Sequence, residues 1–201
     1  MRFLAAFLIN TAQQPPKSWL PVLDPKMDFS QTYFQLFDLP ATYALDRERL
    51  DNAYRELQNK VHPDKFAAKS EAEQRVAMQW ATKVNEAYQT LKQPISRGVY
   101  MLQLQGIDPM AAHNTSIAPA FLMQQMEWRE AISEARDAKD TAALDQLQSE
   151  LDKAYRAADS ELADLLDIAK NPEAATESVR KLKFMDKLIA EVGDAYEMCE
   201  S

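Results

Sequence analysis

Residues 54–66 read Tyr54-Arg55-Glu56-Leu57-Gln58-Asn59-Lys60-Val61-His62-Pro63-Asp64-Lys65-Phe66, a helical pattern cut off by a proline. Upstream, Asp46 offers a short carboxylate to the free amides of a first turn, and Leu50, Tyr54, Leu57 and Val61 fall on one helical face. The residue before a proline is pushed out of the helical region, so the helix is predicted to stop at His62 and His62-Pro63-Asp64 to open a loop. Downstream, Ser70-Glu71-Ala72-Glu73 forms a capping box, and Val76, Trp80, Val84, Ala87, Tyr88 and Leu91 continue at helical spacing. Two amphipathic helices therefore flank the His-Pro-Asp turn, the pattern of an antiparallel hairpin.

Outward from the hairpin, Pro94 ends its second helix, and a further helical stretch around Val99 to Leu104 closes at Gly106. A polar linker is expected over residues 108–118. Before the hairpin, Ser30 to Leu36 reads as a short helix broken by Pro40, Ala41 and Thr42. Residues 1–26 carry four of the ten prolines and no sustained period, so they read as an extension, with Met27 the expected natural start. Beyond the linker lie three more predicted helices. The first starts at Pro119, the second runs from about Ala142 to Ala169, and the third carries Val179, Leu182, Met185, Ile189, Val192 and Tyr196. Short polar connections at residues 137–141 and 171–173 predict antiparallel neighbours, hence a three-helix bundle. The expected fold class is all-α, with an extension at 1–26, a hairpin domain at 27–107, a linker at 108–118 and a bundle at 119–201.

Composition agrees: only 3 of 201 residues are Gly, and Ala, Leu, Gln, Glu and Lys are plentiful. The single cysteine, Cys199, allows no internal disulfide and no thiolate cluster, which points to a cytoplasmic protein. No apolar run approaches the roughly 18 residues a membrane helix needs. The run Phe3 to Ile9 is followed by Asn10 to Pro16 with no small-residue cleavage site, so secretion is not expected. Residues 1–118 hold 13 Lys+Arg and 12 Asp+Glu, whereas residues 119–201 hold 10 and 19, so the acidity is all C-terminal. That split disfavours nucleic acid as a ligand, because neutralising phosphates needs a basic surface. It also suggests that the two halves meet different partners.

A bare His-Pro-Asp could do no more than end a helix. With the stripe before it and Val84-Asn85-Glu86-Ala87-Tyr88-Gln89-Thr90-Leu91 after it, the segment resembles the second helix, signature loop and third helix of a J domain. The resemblance implies binding to a heat-shock-type ATPase chaperone and acceleration of its ATP hydrolysis. His62, Pro63 and Asp64 would dock on that chaperone, and Arg47, Arg55, Lys60 and Lys65 would meet its acidic surface. Glu48, Asp51 and Glu56 interleave with these cations, so the helix is not strongly basic, and a solvated mixed-charge face is the alternative for any one of them.

The second half lacks the Gly/Phe-rich segment and zinc-binding cysteine repeats of general J proteins. On the helix after Pro119, a wheel of about 100° per residue groups Phe121, Gln125, Trp128, Ile132 and Ala135 as the core face. Leu122, Met123 and Met126 share the other arc with Glu127, Glu130 and Glu134, a surface suited to a partner with apolar and basic groups. In the last helix Phe184 points roughly 160° from Leu182 and is expected outside the core. The runs Pro119 to Glu130 and Val179 to Leu188 are similar to the scaffold-binding helices of the HscB family, J-domain co-chaperones of bacterial iron–sulfur cluster assembly. The likeness spans residues 27–201. It implies that Leu122, Met123, Met126, Glu127, Glu130, Glu134 and Phe184 bind the iron–sulfur scaffold protein. It also implies that the chain has no catalytic activity, cofactor or metal of its own.

Some residues depart from the pattern. Val61 stands where many J domains carry an aromatic, Met126 and Trp128 replace residues that are commonly leucine, and the 1–26 extension has no counterpart in compact bacterial members. Two other readings stay open at this point: a general J protein with a different client, and a metal-dependent hydrolase using His62, Asp64 and His113.

Overall fold

The computed structural model describes residues 28–111 and 118–200. The 1–26 extension, Met27 as a start and His113 lie outside the described residues. The described residues are helical, with no strand among them: α1 (Tyr33–Leu36), α2 (Arg47–Val61), a 3₁₀ turn (Pro63–Phe66), α3 (Glu71–Lys92), α4 (Pro94–Gln103), α5 (Pro119–Asp137), α6 (Thr141–Ala163), a π turn (Asp164–Ile168) and α7 (Pro172–Glu200). None of these helices is long and apolar enough to cross a membrane.

The caps explain the boundaries. Asp46 accepts from the Arg49 amide at the head of α2, and Ser70 with Glu73 forms the reciprocal capping box of α3. Asp140 accepts from the Ala143 amide at the head of α6. The short N-terminal helix is smaller than expected. Only Tyr33–Leu36 is helical, because Asp28 captures the Ser30 amide in a local turn and Thr32 takes the capping position. Pro94 not only ends α3 but begins α4, at a first-turn position where no amide is needed.

The hairpin of α2 and α3 closes over Leu50, Val61, Trp80, Val84, Ala87 and Leu91, all buried. Across its outer side the Tyr54 and Tyr88 rings stack at 4.0 Å, and their hydroxyls pair with Asn85 and Asp51 respectively. In the second half, α5, α6 and α7 pack as three helices around Trp128, Ile132, Leu144, Leu151, Leu162, Leu182 and Val192.

Three expectations for the second half need correction. The buried stripe of α7 includes Ala175, Ser178, Leu188 and Ala195, whereas Ile189 and Tyr196 are only half-buried. The cause is that α7 packs on α4 as well as on α5 and α6, so its covered arc is wider than one bundle stripe. The long second helix does not run unbroken to Ala169. Its last turn widens at Asp164–Ile168, with the Ala169 amide bonded five residues back to Asp164 and Lys170 in the left-handed region at φ 51°. The start of the expected linker is pinned to the fold: the Arg180 Nε donates to the Pro109 carbonyl at 2.7 Å.

The two halves meet through α4 and the loop before α2. Gly98 lies where an added Cβ would be 3.1 Å from both Leu162 Cδ2 and Val179 Cγ2, so any larger residue would press on both side chains.

Candidate interaction surfaces

The turn after α2 is built from its buried ends. Val61 at the last turn and Phe66 at the end of the 3₁₀ turn are both buried, and they hold the intervening residues outward. His62 has φ −58° and ψ 126°, the extended geometry that a following proline requires. Its carbonyl accepts from the Lys65 amide at 3.0 Å, while its Nδ1 accepts from the Asp64 amide at 3.3 Å. The Asp64 carboxylate lies 3.5 Å from Nδ1, and the two side chains are 50% and 89% exposed, so an imidazole and a carboxylate stand together in water. Behind them, Gln74 Nε2 donates to the carbonyls of Ala67 and Lys69 and ties the loop to α3.

The expected cations spread along the helix. Lys60 and Lys65 flank the turn, and Arg55 lies higher on α2; all are exposed. Arg47 begins α2, which at 1.5 Å per residue puts it roughly 21 Å from Val61, and it pairs with Asp51 at 3.7 Å. His62, Pro63, Asp64, Lys60 and Lys65 are gathered at the turn, whereas Arg47 lies outside that group at the other end of α2.

On α5 the wheel reading matches the burial. Gln125, Trp128, Ile132 and Ala135 are buried, while Leu122, Met123 and Met126 are 46%, 65% and 73% exposed, and Glu127, Glu130 and Glu134 are exposed as well. Phe121 departs from the expected core face. It is half-buried and set edge-on to both Trp128 and Phe184 at 6.4 Å. Phe184 is likewise not stranded outside the core, because its ring sits half-buried beside Phe121 with the Arg129 guanidinium 5.0 Å above it. Leu122, Met126 and Arg129 step by four and three, so the exposed row of α5 leads to the Arg129 that lies over the Phe184 ring.

Two cross-links hold α5 in place: Trp128 Nε1 donates to Glu150 on α6 at 2.9 Å, and Arg129 reaches Glu191 on α7 at 3.4 Å. The role of Arg129 was not read from the sequence, although its spacing from Met126 carried the signal. Among the described residues no three His, Cys, Asp or Glu side chains gather as a metal site.

A helical hairpin presenting His-Pro-Asp at its tip defines a J domain, and residues 32–100 match the family described as the DnaJ domain. Residues 117–193 match the HSCB C-terminal oligomerisation domain. The co-chaperone protein HscB homolog of Paraburkholderia xenovorans is 51% identical over 172 residues, which cover 86% of this chain and 98% of that protein. The solved chaperone HscB from Vibrio cholerae superposes with a TM-score of 0.73 at 38% identity, covering 83% of this chain and 98% of that one. The human co-chaperone HscB structure gives 0.76 at 28% identity, covering 83% of each. The chain belongs to the HscB co-chaperone family.

Proposed function

We propose that this protein is a non-enzymatic co-chaperone of iron–sulfur cluster assembly in the cytoplasm. It delivers the cluster scaffold protein to a specialised heat-shock-type ATPase and speeds that ATPase's hydrolysis, which promotes cluster transfer. His62, Pro63 and Asp64 dock on the ATPase, and Arg47, Arg55, Lys60 and Lys65 steer the encounter. Leu122, Met123, Met126, Glu127, Glu130, Glu134 and Phe184 hold the scaffold. The observation that carries the reading is the exposure of Leu122, Met123 and Met126 beside three carboxylates, on a helix braced by Trp128 and Arg129. Apolar side chains left in water next to one sign of charge suit a protein partner of opposite sign. Carrying both contacts on one chain raises the effective concentration of cargo at the ATPase without any further contact.

Substitution separates the two surfaces. His62→Gln should remove ATPase stimulation at saturating co-chaperone and leave scaffold affinity intact; Leu122→Ala with Met126→Ala should weaken scaffold binding at least about tenfold and leave basal stimulation intact. Both are measured by steady-state ATP turnover and by titration of purified scaffold. If each variant loses both activities equally, the division of labour fails. A scaffold that does not bind the unsubstituted protein at tens of micromolar, with stimulation retained, would instead favour a general J protein with a different client.

A further inference from the structure

The loop before α2 and the π turn after α6 are far apart in sequence but locked together. Asp167 in the π turn accepts the Tyr43 amide on Oδ1 at 2.7 Å and the Ala44 amide on Oδ2 at 2.8 Å. One carboxylate thus satisfies two loop amides that no helix or strand provides for. The Tyr43 hydroxyl donates to Asp159 on α6, and its ring is almost fully buried. The Arg97 guanidinium of α4 lies over that ring at 4.7 Å, and Arg97 Nη1 donates to the Leu91 carbonyl at 2.8 Å. Tyr43 is therefore gripped from both halves of the molecule. The widened turn matters here, because a longer turn changes which way the residues after Ala163 face.

We infer that Tyr43, Asp159 and Asp167 form a polar latch that fixes the hairpin relative to the bundle, making Asp167 and Tyr43 positioning residues for cargo-coupled ATPase stimulation. None of these side chains belongs to either proposed contact surface. A free hinge would spread the tethered cargo over a larger volume and lower its effective concentration at the ATPase, whereas a latched junction keeps it at one place. This rests on the delivery role proposed above.

The test uses the full chain with Cys199→Ser and spin labels on cysteines placed at the exposed Gln89 and Lys187. Tyr43→Phe combined with Asp167→Ala should broaden the distance distribution between the labels. It should also lower the factor by which scaffold and co-chaperone together exceed their separate stimulations, by about fivefold or more. Basal stimulation and scaffold affinity, each measured alone, should stay within about twofold. Asp167→Asn keeps one acceptor oxygen and should restore part of the coupling, which a general loss of folding would not; helicity and melting are followed for all variants. A distribution as narrow as in the unsubstituted protein, or a broad one with coupling intact, overturns the latch. Absence of joint stimulation in the unsubstituted protein overturns the delivery role and this inference together.

Discussion

Phe184 and Met126 illustrate how two residues of one proposed surface differ in physics. Phe184 leans on Phe121 and lies under Arg129, so it contributes to the fold as well as to any partner. Met126 is 73% exposed and contributes to the fold very little. Phe184→Ala should therefore lower unfolding free energy by about 1–2 kcal/mol, less than a fully buried ring because part of its surface is already wet. Met126→Ala should stay within about 0.5 kcal/mol of the parent. Urea denaturation monitored by circular dichroism checks both. If the two variants melt alike, the distinction between a supporting aromatic and a free anchor is wrong.

Among the elements, α3 is the one that holds the signature turn, and its start is defined by Ser70 and Glu73. The Ser70 hydroxyl and then the Ser70 amide, each bonding the Glu73 carboxylate, hold its pKa below the ordinary carboxylate value of 4.5. A depressed carboxylate pKa adds stability that is present above the unfolded value and is lost as pH falls through the folded one. Ser70→Ala should accordingly lower the melting temperature by about 2–4 °C near neutrality. The difference from the parent should shrink below about pH 4, as scanning calorimetry at neutral and acid pH can read. An equal penalty at both pH values would show that the carboxylate takes no part in the cap.

For the molecule as a whole, the contact between the halves is tight at α4. Gly98 on α4 faces Leu162 and Val179, both fully buried, with the Tyr43 ring 3.4 Å from an added Cβ. Alanine there would gain about 0.5–1 kcal/mol of helix propensity, against about 1–3 kcal/mol for overpacking a filled site. A β-branched side chain loses the propensity gain and keeps the clash. Gly98→Val should therefore destabilise the protein by about 2 kcal/mol or more, or force the halves apart, seen as a lower melting point or a larger radius in small-angle scattering. Neither change would mean that the junction yields freely.

The hairpin, the turn and the apolar row of α5 were legible in the chain because local chemistry sets them. Helix periods, a capping box and a proline act within a few residues, and a wheel reading separates Gln125, Trp128 and Ile132 from Leu122, Met123 and Met126 without any partner in view. What the wheel could not supply was the identity of neighbours. Phe184 looked stranded on its own helix, yet α5 brings Phe121 and Arg129 to it, and Leu188 is buried by the breadth of packing around α7. The junction was beyond reach for the same reason. Tyr43 lies more than a hundred residues from Asp159 and Asp167, the π turn that orients Asp167 leaves no periodic mark, and only the folded chain brings carboxylate and amide together. Local propensity acts along the backbone, whereas the choice of contacts between helices is made by packing across space.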